Sequence, residues 1–330
     1  MQESRHPNST EAIVLSDSPA AVSHLPASGH LPMTPSAIFW TMVTVALWGG
    51  TPVAIRYSLE TLPPVNVAGL RFLLAAIFML GWCRFEGCDL KLVSGQVWPT
   101  IINGVLLFAQ IVLFHWGVAL SNSSHATVFI NTFIFWVAII EHGVMKTQRL
   151  SLLNFLGLII AALGVGIMLL TTQKVDEVVN YDVATIRGDV LLLLSGFVLG
   201  VKILYTKIAV RTVEPGKLIF WHDIVGVVLF YAYSFVFETQ PALNDFTLPA
   251  MLGILYHGVV ISGFCFALQA LLLKRHSASH VSVYSFATPL FGIALAVLFR
   301  GDPLSDWLLI AGFCVALGIF LVQYTKGPKS

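Results

Sequence analysis

Apolar runs, each interrupted only by short polar links, dominate this chain of 330 residues. Ten runs reach the roughly 20 residues that a helix needs to cross a bilayer. They lie at about 36–59, 65–84, 97–119, 124–145, 151–171, 187–208, 217–237, 248–272, 277–299 and 305–323. Their length and the lack of apolar–polar alternation exclude the strands of a membrane barrel. Several links carry turn residues, as in LPPVN (62–66), SNSS (121–124) and RGDPLS (300–305). Residues 1–35 differ, being rich in Pro, Ser and His with no apolar stretch. They read as a disordered cytoplasmic tail and not as a cleaved signal peptide. The pattern predicts an all-α membrane protein of ten transmembrane helices. Its parts are a five-helix unit at 36–171, a polar linker at 172–186, a second five-helix unit at 187–323 and a short tail at 324–330.

Composition makes the solvent explicit. Hydrophobic residues are 57% of the chain and charged residues 11%, with mean hydropathy +0.83. A soluble domain carries about 25% charged residues, so the partner of this surface is the lipid bilayer. A net charge of +1 offers nothing to nucleic acid. The four cysteines, Cys83, Cys88, Cys265 and Cys314, are too few and scattered for a disulfide framework and lack the companions of a zinc site. Of the eighteen Lys and Arg, twelve fall in segments that share a side with the N-terminus, and only Lys174, Arg187 and Arg300 fall in the opposite loops. That bias places both termini in the cytoplasm of a cell (inner or plasma) membrane protein.

Ten spans divide into five and five about QKVDEVVNYD (173–182). Ser124 and His125 recur as Ser279 and His280, 155 positions on, with Val128/Val283, Leu153/Leu308, Gly157/Gly312 and Ala161/Ala316 in the same register. An odd number of spans per unit forces the second to enter the membrane upside down. Inverted repeats of this kind belong to transporters, with the solute near the midplane. The paired Ser-His heads then read as symmetry mates. Ser123 or Ser124 caps helix four, and Ser277 or Ser279 caps helix nine. His125 and His280 either cap at the interface or gate opposite mouths.

Two stretches carry a family resemblance. SASHVSVYSFATPLFGIALAVLFRGDPLSDWLLIAGFCVALGIFL (277–321) resembles the end of an EamA domain of the drug/metabolite transporter superfamily. ALWGGTPVAIRYSLETLPPVNVAGLRFLLAA (46–76) resembles its opening. The resemblance covers about 36–323. In the first half, Ile134 and Thr147 replace the family's proline and glutamate, so the hinge there is stiffer or placed elsewhere; in the second half Asp302 stands for the glutamate. The first helix holds no carboxylate, which argues against proton exchange of cationic drugs. The resemblance implies a permease for small organic metabolites, an exporter of amino acids or related compounds working by alternating access. A proton or other ion gradient would supply any energy, with no cofactor or metal. A carrier of phosphorylated or sugar-nucleotide compounds is the alternative, followed by a membrane enzyme or scaffold.

Polar groups inside a bilayer are costly and face a cavity or a partner. The family is lined by helices one, three, four, six, eight and nine. That analogy nominates Trp48, Gln110, Asn131, Lys202, Tyr205, His257 and Tyr284 as substrate-contacting wall residues. For Gln110, Asn131 and His257 the competing reading is a hydrogen bond between helices; for Lys202 it is snorkelling, and for Tyr284 it is core packing. Pro52 and Pro289 are candidate hinges, since proline frees a backbone carbonyl. Arg71 either snorkels to the surface or serves as a gate or substrate contact, and Arg56, nearer its helix end, is expected to snorkel. His222 and Asp223 are expected at the cytoplasmic interface. The glycines of helices five and ten, Gly157, Gly164, Gly166, Gly312 and Gly318, are expected to permit close helix packing. Nucleophile elbows, H-E-x-x-H, P-loops and dinucleotide fingerprints are absent from the sequence, so no enzymatic role is expected.

Overall fold

The computed structural model describes residues 34–146, 150–172, 183–265, 268, 272 and 284–323. These residues form helices and turns with no strand. The helices are α1 (Pro35–Gly49), α2 (Thr51–Leu59), α3 (Pro64–Glu86), α4 (Ser94–Ala119), α5 (Ser123–Ile130) and α6 (Phe133–Gly143). They continue with α7 (Leu152–Thr171), α8 (Ile186–Ala209), α9 (Pro215–Phe237), α10 (Leu248–Leu255), α11 (Ala287–Arg300) and α12 (Asp306–Gln323). Taking α1 with α2, α5 with α6, and α10 with the π-helical segment Tyr256–Cys265 that continues it, nine helices among the described residues are long and apolar enough to cross a membrane. A shorter apolar helix, Tyr284–Arg300, occupies the place of the expected ninth span. Residues 277–283 of that expected span lie outside the described residues, as does most of 266–272. The protein is an integral membrane protein, and the nine candidate spans and this shorter helix are labelled spans one to ten in chain order below.

Local sequence sets the helix ends. Thr34 caps α1 by accepting from the Ala37 amide at 3.2 Å, and Pro35 and Pro64 sit in first turns, where no N–H is needed. Gly87 (φ 71°) closes α3 and Gly301 (φ 67°) closes α11 in the left-handed conformation that glycine tolerates. At α5 the cap is Asn122, whose Oδ1 accepts from the His125 amide at 2.8 Å. This corrects the expected Ser123 or Ser124 cap, since both serine hydroxyls are buried without a partner. Asn122 stands one residue before Ser123, and its side chain reaches the third amide of the helix from there. The expected caps Ser277 and Ser279, like His280, lie outside the described residues.

Two spans are broken in mid-membrane. Span one breaks at Gly50, two residues before Pro52, whose ring cannot donate to the preceding turn. The exposed carbonyls are taken by the π-helical segment. Tyr256 Oη donates to Leu47 O at 2.5 Å, and a His257 ring nitrogen (Nε2) lies 3.0 Å from Thr51 O. Span four breaks at Asn131 and Thr132 without a proline. The Asn131 amide donates to Thr127 O at 2.7 Å and the Thr132 hydroxyl to Phe129 O at 2.6 Å, local bonds that compete with the helical ladder. This break begins three residues before Ile134. In span nine the 3₁₀ turn Tyr284–Phe286 passes into α11, and Pro289 falls in the first turn of that helix.

Packing follows small residues. α7 and α12 lie against each other at Gly157, Gly164 and Gly318, where an added Cβ would come within 2.9 Å of an opposing carbonyl. Asn154 ties the same pair, its amide donating to Leu321 O at 3.0 Å and Val322 O at 2.7 Å. Gly312 faces Ile293 of α11 instead, and Gly166 faces open space. The other main pairs are α4 with α8 and α9, α3 with α9 and the π-helical segment, α1 with α11, α2 with α10, α6 with α8, and α5 with α11.

Candidate functional site

The polar interior lies where α3, α4, α8, α9 and the π-helical segment meet. Arg71 enters α3 about 10 Å from its Pro64 end, and Asp223 enters α9 about 12 Å from the opposite face, at 1.5 Å per residue. Each is thus about a third of the way across a hydrocarbon core of roughly 30 Å. Arg71 is 7% exposed and Asp223 2%. Asp223 lies within electrostatic reach of both Arg71 and Lys202, and His222 Nε2 stands 3.5 Å from its carboxylate. Arg71 also interacts with His115 of α4 and His257 of the π-helical segment. Its guanidinium carbon sits 4.7 Å from the centre of the Phe72 ring. The expected interfacial position of His222 and Asp223 is corrected. Both are buried within the bundle, because the run from Pro215 enters the membrane about two turns before them.

The nominated wall residues divide. Lys202 and His257 belong to this interior. Gln110 does not stand free: its side-chain amide donates to Ser195 Oγ at 3.0 Å and its backbone carbonyl accepts from the same hydroxyl at 2.9 Å, which ties α4 to α8. Asn131 is 5% exposed and holds the break in its own span. Trp48 is half-buried in the last turn of α1, and Tyr284 is half-buried in the turn before α11. Tyr205 packs apart, against Ala209, Val213 and Leu218. His115, His222 and Asp223 were not nominated. Their signal was present, as ionisable residues inside apolar runs, but nothing in the sequence shows that distant helices bring them to Arg71.

A second polar cluster closes the face that carries Glu60. Asp189, fully buried at the start of α8, accepts from Ser121 Oγ and Thr172 Oγ1, each at 2.7 Å, and lies 2.9 Å from His125 Nδ1. Asp302 accepts from the Ser124 amide at 2.8 Å. Arg300 pairs with Glu60 and covers the Tyr57 ring, while Tyr57 Oη donates to Phe299 O. Arg56 does not snorkel, contrary to expectation. It is 2% exposed, and its Nη1 donates to Val118 O at 2.8 Å and Ala119 O at 3.1 Å. The orphan carbonyls and negative dipole end of α4 offer this guanidinium more than the surface would.

The opposite face is tied differently. Lys207 pairs with Glu141 at 2.7 Å, Gln96 donates to Thr212 O at 2.9 Å, and Trp221 donates to Leu90 O at 2.7 Å. An apolar groove of about 480 Å³ opens there beside Ile139, His142, Leu150 and Phe155, away from every nominated residue. No group of three or more His, Cys, Asp or Glu able to hold a metal occurs among the described residues.

Comparison with known proteins gives the family. The model of the EamA-like transporter family matches residues 35–170 and 186–324. The chain is similar to the uncharacterized transporter YoaV of Bacillus subtilis (strain 168), at 21% identity over 84% of this chain and 94% of that protein. It is similar to a protein of Salmonella typhimurium named a "Probable amino-acid metabolite efflux pump", at 22% identity over 86% and 93%. A solved crystal structure shares the fold with a TM-score of 0.60 and 17% identity, covering 87% of this chain and 97% of that one. With both matched segments spanning most of its length, this chain belongs to the EamA-like transporter family.

Proposed function

We propose that this membrane transporter moves amino acids or related small metabolites out of the cell by alternating access, with the polar interior around Arg71, Lys202, Asp223 and His257 as its solute site. The chain forms ten spans in two inverted units of five, at 36–171 and 187–323, with both termini in the cytoplasm. The observation that carries this reading is the pattern of helix pairs. Between the two units the strongest pairs are five with ten, two with seven, four with nine, three with six, one with eight, three with seven, two with eight, one with nine and four with six. Exchanging each span with the one five places on turns this set into itself, as an internal twofold axis requires. Arg71 and Asp223 lie on spans two and seven, a pair that this exchange maps onto itself, and inverted-repeat transporters bind solute near such an interface. The two separate family matches support the same division.

Broken helices support the mechanism. Span four breaks at Asn131, and span nine changes helix type at Phe286, the position 155 residues on. Such breaks give a rigid bundle places to bend. The clasp of Tyr57, Glu60 and Arg300 joins α2 to α11, so it crosses from one unit to the other. With the positive-inside orientation, that clasp closes the outer mouth. The relatives named as efflux pumps for amino-acid metabolites support the solute class.

Purified protein in proteoliposomes tests the function. Loading with a mixture of unlabelled amino acids should drive counterflow of at least one labelled amino acid above protein-free liposomes. Absence of flux for the whole mixture, in either direction and with or without a proton gradient, would sink the reading.

A further inference from the structure

Around Arg71 the protein leaves hydrogen-bonding capacity unused. The Nε and Nη1 of its buried guanidinium donate to no protein acceptor. Among the described residues no carboxylate comes within ion-pair distance of it. Two groups in electrostatic contact with Arg71 share the condition. His115 Nε2 and His257 Nδ1 are both buried without a partner. Buried polar atoms without partners are rare in folded proteins, because each forfeits its hydration, and several in one place call for a ligand or ordered water.

The chemistry of the unused atoms is specific. His115 Nδ1 lies 2.8 Å from Pro64 O, and His257 Nε2 lies 3.0 Å from Thr51 O. A carbonyl only accepts, so these nitrogens carry the ring protons. The free nitrogen of each neutral ring is then an acceptor. The interior thus presents a guanidinium fork that donates and two imidazole nitrogens that accept. Lys202 and Asp223, beyond them, leave the set with more positive than negative charge. A static ion-pair network would place Asp223 on Arg71, and it does not. A phosphate dianion would find two cations, one carboxylate that repels it and two acceptors that it cannot satisfy. A carboxylate with an adjacent N–H or O–H donor satisfies the whole set, the acid on the fork and the donor on the imidazoles.

We infer that Arg71 is the residue that recognises the solute, binding the carboxylate of a 2-amino or 2-hydroxy acid, with His115 and His257 receiving its neighbouring donor. The inference rests on the transport reading for its purpose and on the buried, unpartnered atoms for its chemistry.

Binding and flux separate the two. Full-length protein in nanodiscs is titrated with L-leucine, L-glutamate, 2-hydroxy-4-methylpentanoate, isoamylamine and glycerol 3-phosphate, read by thermal stabilisation. The same solutes are assayed for counterflow in proteoliposomes. At least one of the acids should stabilise the wild-type protein, and isoamylamine and glycerol 3-phosphate should not. Arg71→Gln should weaken that acid about 10- to 100-fold, the loss expected for a charged hydrogen-bonding partner. Arg71→Lys should recover only part, keeping the charge but losing the fork. Melting without ligand verifies that both variants fold. The inference is overturned if none of the acids binds, if the acid binds Arg71→Gln unchanged, or if the amine or the phosphate ester binds in place of the acids. Arg71-dependent binding without any flux would leave this inference standing and overturn the transport reading. Flux of a solute that ignores Arg71 would do the reverse.

Discussion

Asp189 shows how much one residue can hold. Its carboxylate gathers Ser121, Thr172 and His125 from three different elements, with no exposure to solvent. Asp189→Ala takes the acceptor from Ser121 and His125 and leaves Thr172 only the Met168 carbonyl, and thermal unfolding in nanodiscs should register a loss of about 3 kcal/mol. Ser121→Ala removes one donor and should cost about 1 kcal/mol. Equal losses for the two would contradict the geometry. At the opposite face, Cys88 lies in the loop before α4 and donates to Glu214 Oε2 at 3.1 Å. Burial, and then that hydrogen bond to the carboxylate, push its thiol up to about 12. A raised thiol pKa means neutral sulfur until pH approaches that value. Maleimide should therefore label Cys88 slowly at pH 8 and faster as pH rises, and Glu214→Gln should raise the rate at fixed pH. The sequence marked Arg71 and Lys202 as singular residues in apolar runs. It did not reveal Asp223 or His115 as their neighbours, because that proximity is set by packing between helices far apart in the chain.

Span boundaries were legible because the bilayer demands length and apolarity together. The expected first span at 36–59 and the observed Pro35–Leu59 differ by one residue, and 65–84 became Pro64–Glu86. The breaks inside spans were only half legible. Pro52 announced the first, whereas Asn131 and Thr132 broke span four through side-chain bonds to their own backbone, a role that polar pairs in apolar runs take only in some contexts. The ten-residue π-helical segment Tyr256–Cys265 left no sequence signal, and its use is visible only where Tyr256 and His257 meet the carbonyls of the broken first span. Tyr256→Phe should destabilise the protein by about 1 kcal/mol through loss of the Leu47 bond. Small residues were a better guide to which helices meet. A side chain at Gly318 would press on Ala161 and the Gly157 carbonyl at 2.7 and 2.8 Å. Gly318→Leu should therefore cost about 1–3 kcal/mol by forcing α7 and α12 apart. Gly166→Ala, facing open space, should be neutral or slightly stabilising. Reversal of that order in unfolding measurements would refute the assigned contact.

At the scale of the molecule, both family-matched segments contribute to one bundle, and each face is tied by a different set of contacts. Six matched positions hinted at duplication in the sequence, and the proposed inverted repeat draws further support from the matching of the strongest helix pairs across the bundle. In the proposed transport cycle the clasp at the Glu60 face opens for solute to pass. The direct measurement uses Glu60→Cys with Arg300→Cys, in protein whose four native cysteines are replaced by alanine. The pair is bridged with a reducible bifunctional methanethiosulfonate, and amino-acid counterflow is followed in proteoliposomes. Bridging should stop counterflow and reduction should restore it, while either single cysteine variant should be unaffected by the reagent. Undiminished counterflow with the bridge fully formed would contradict it.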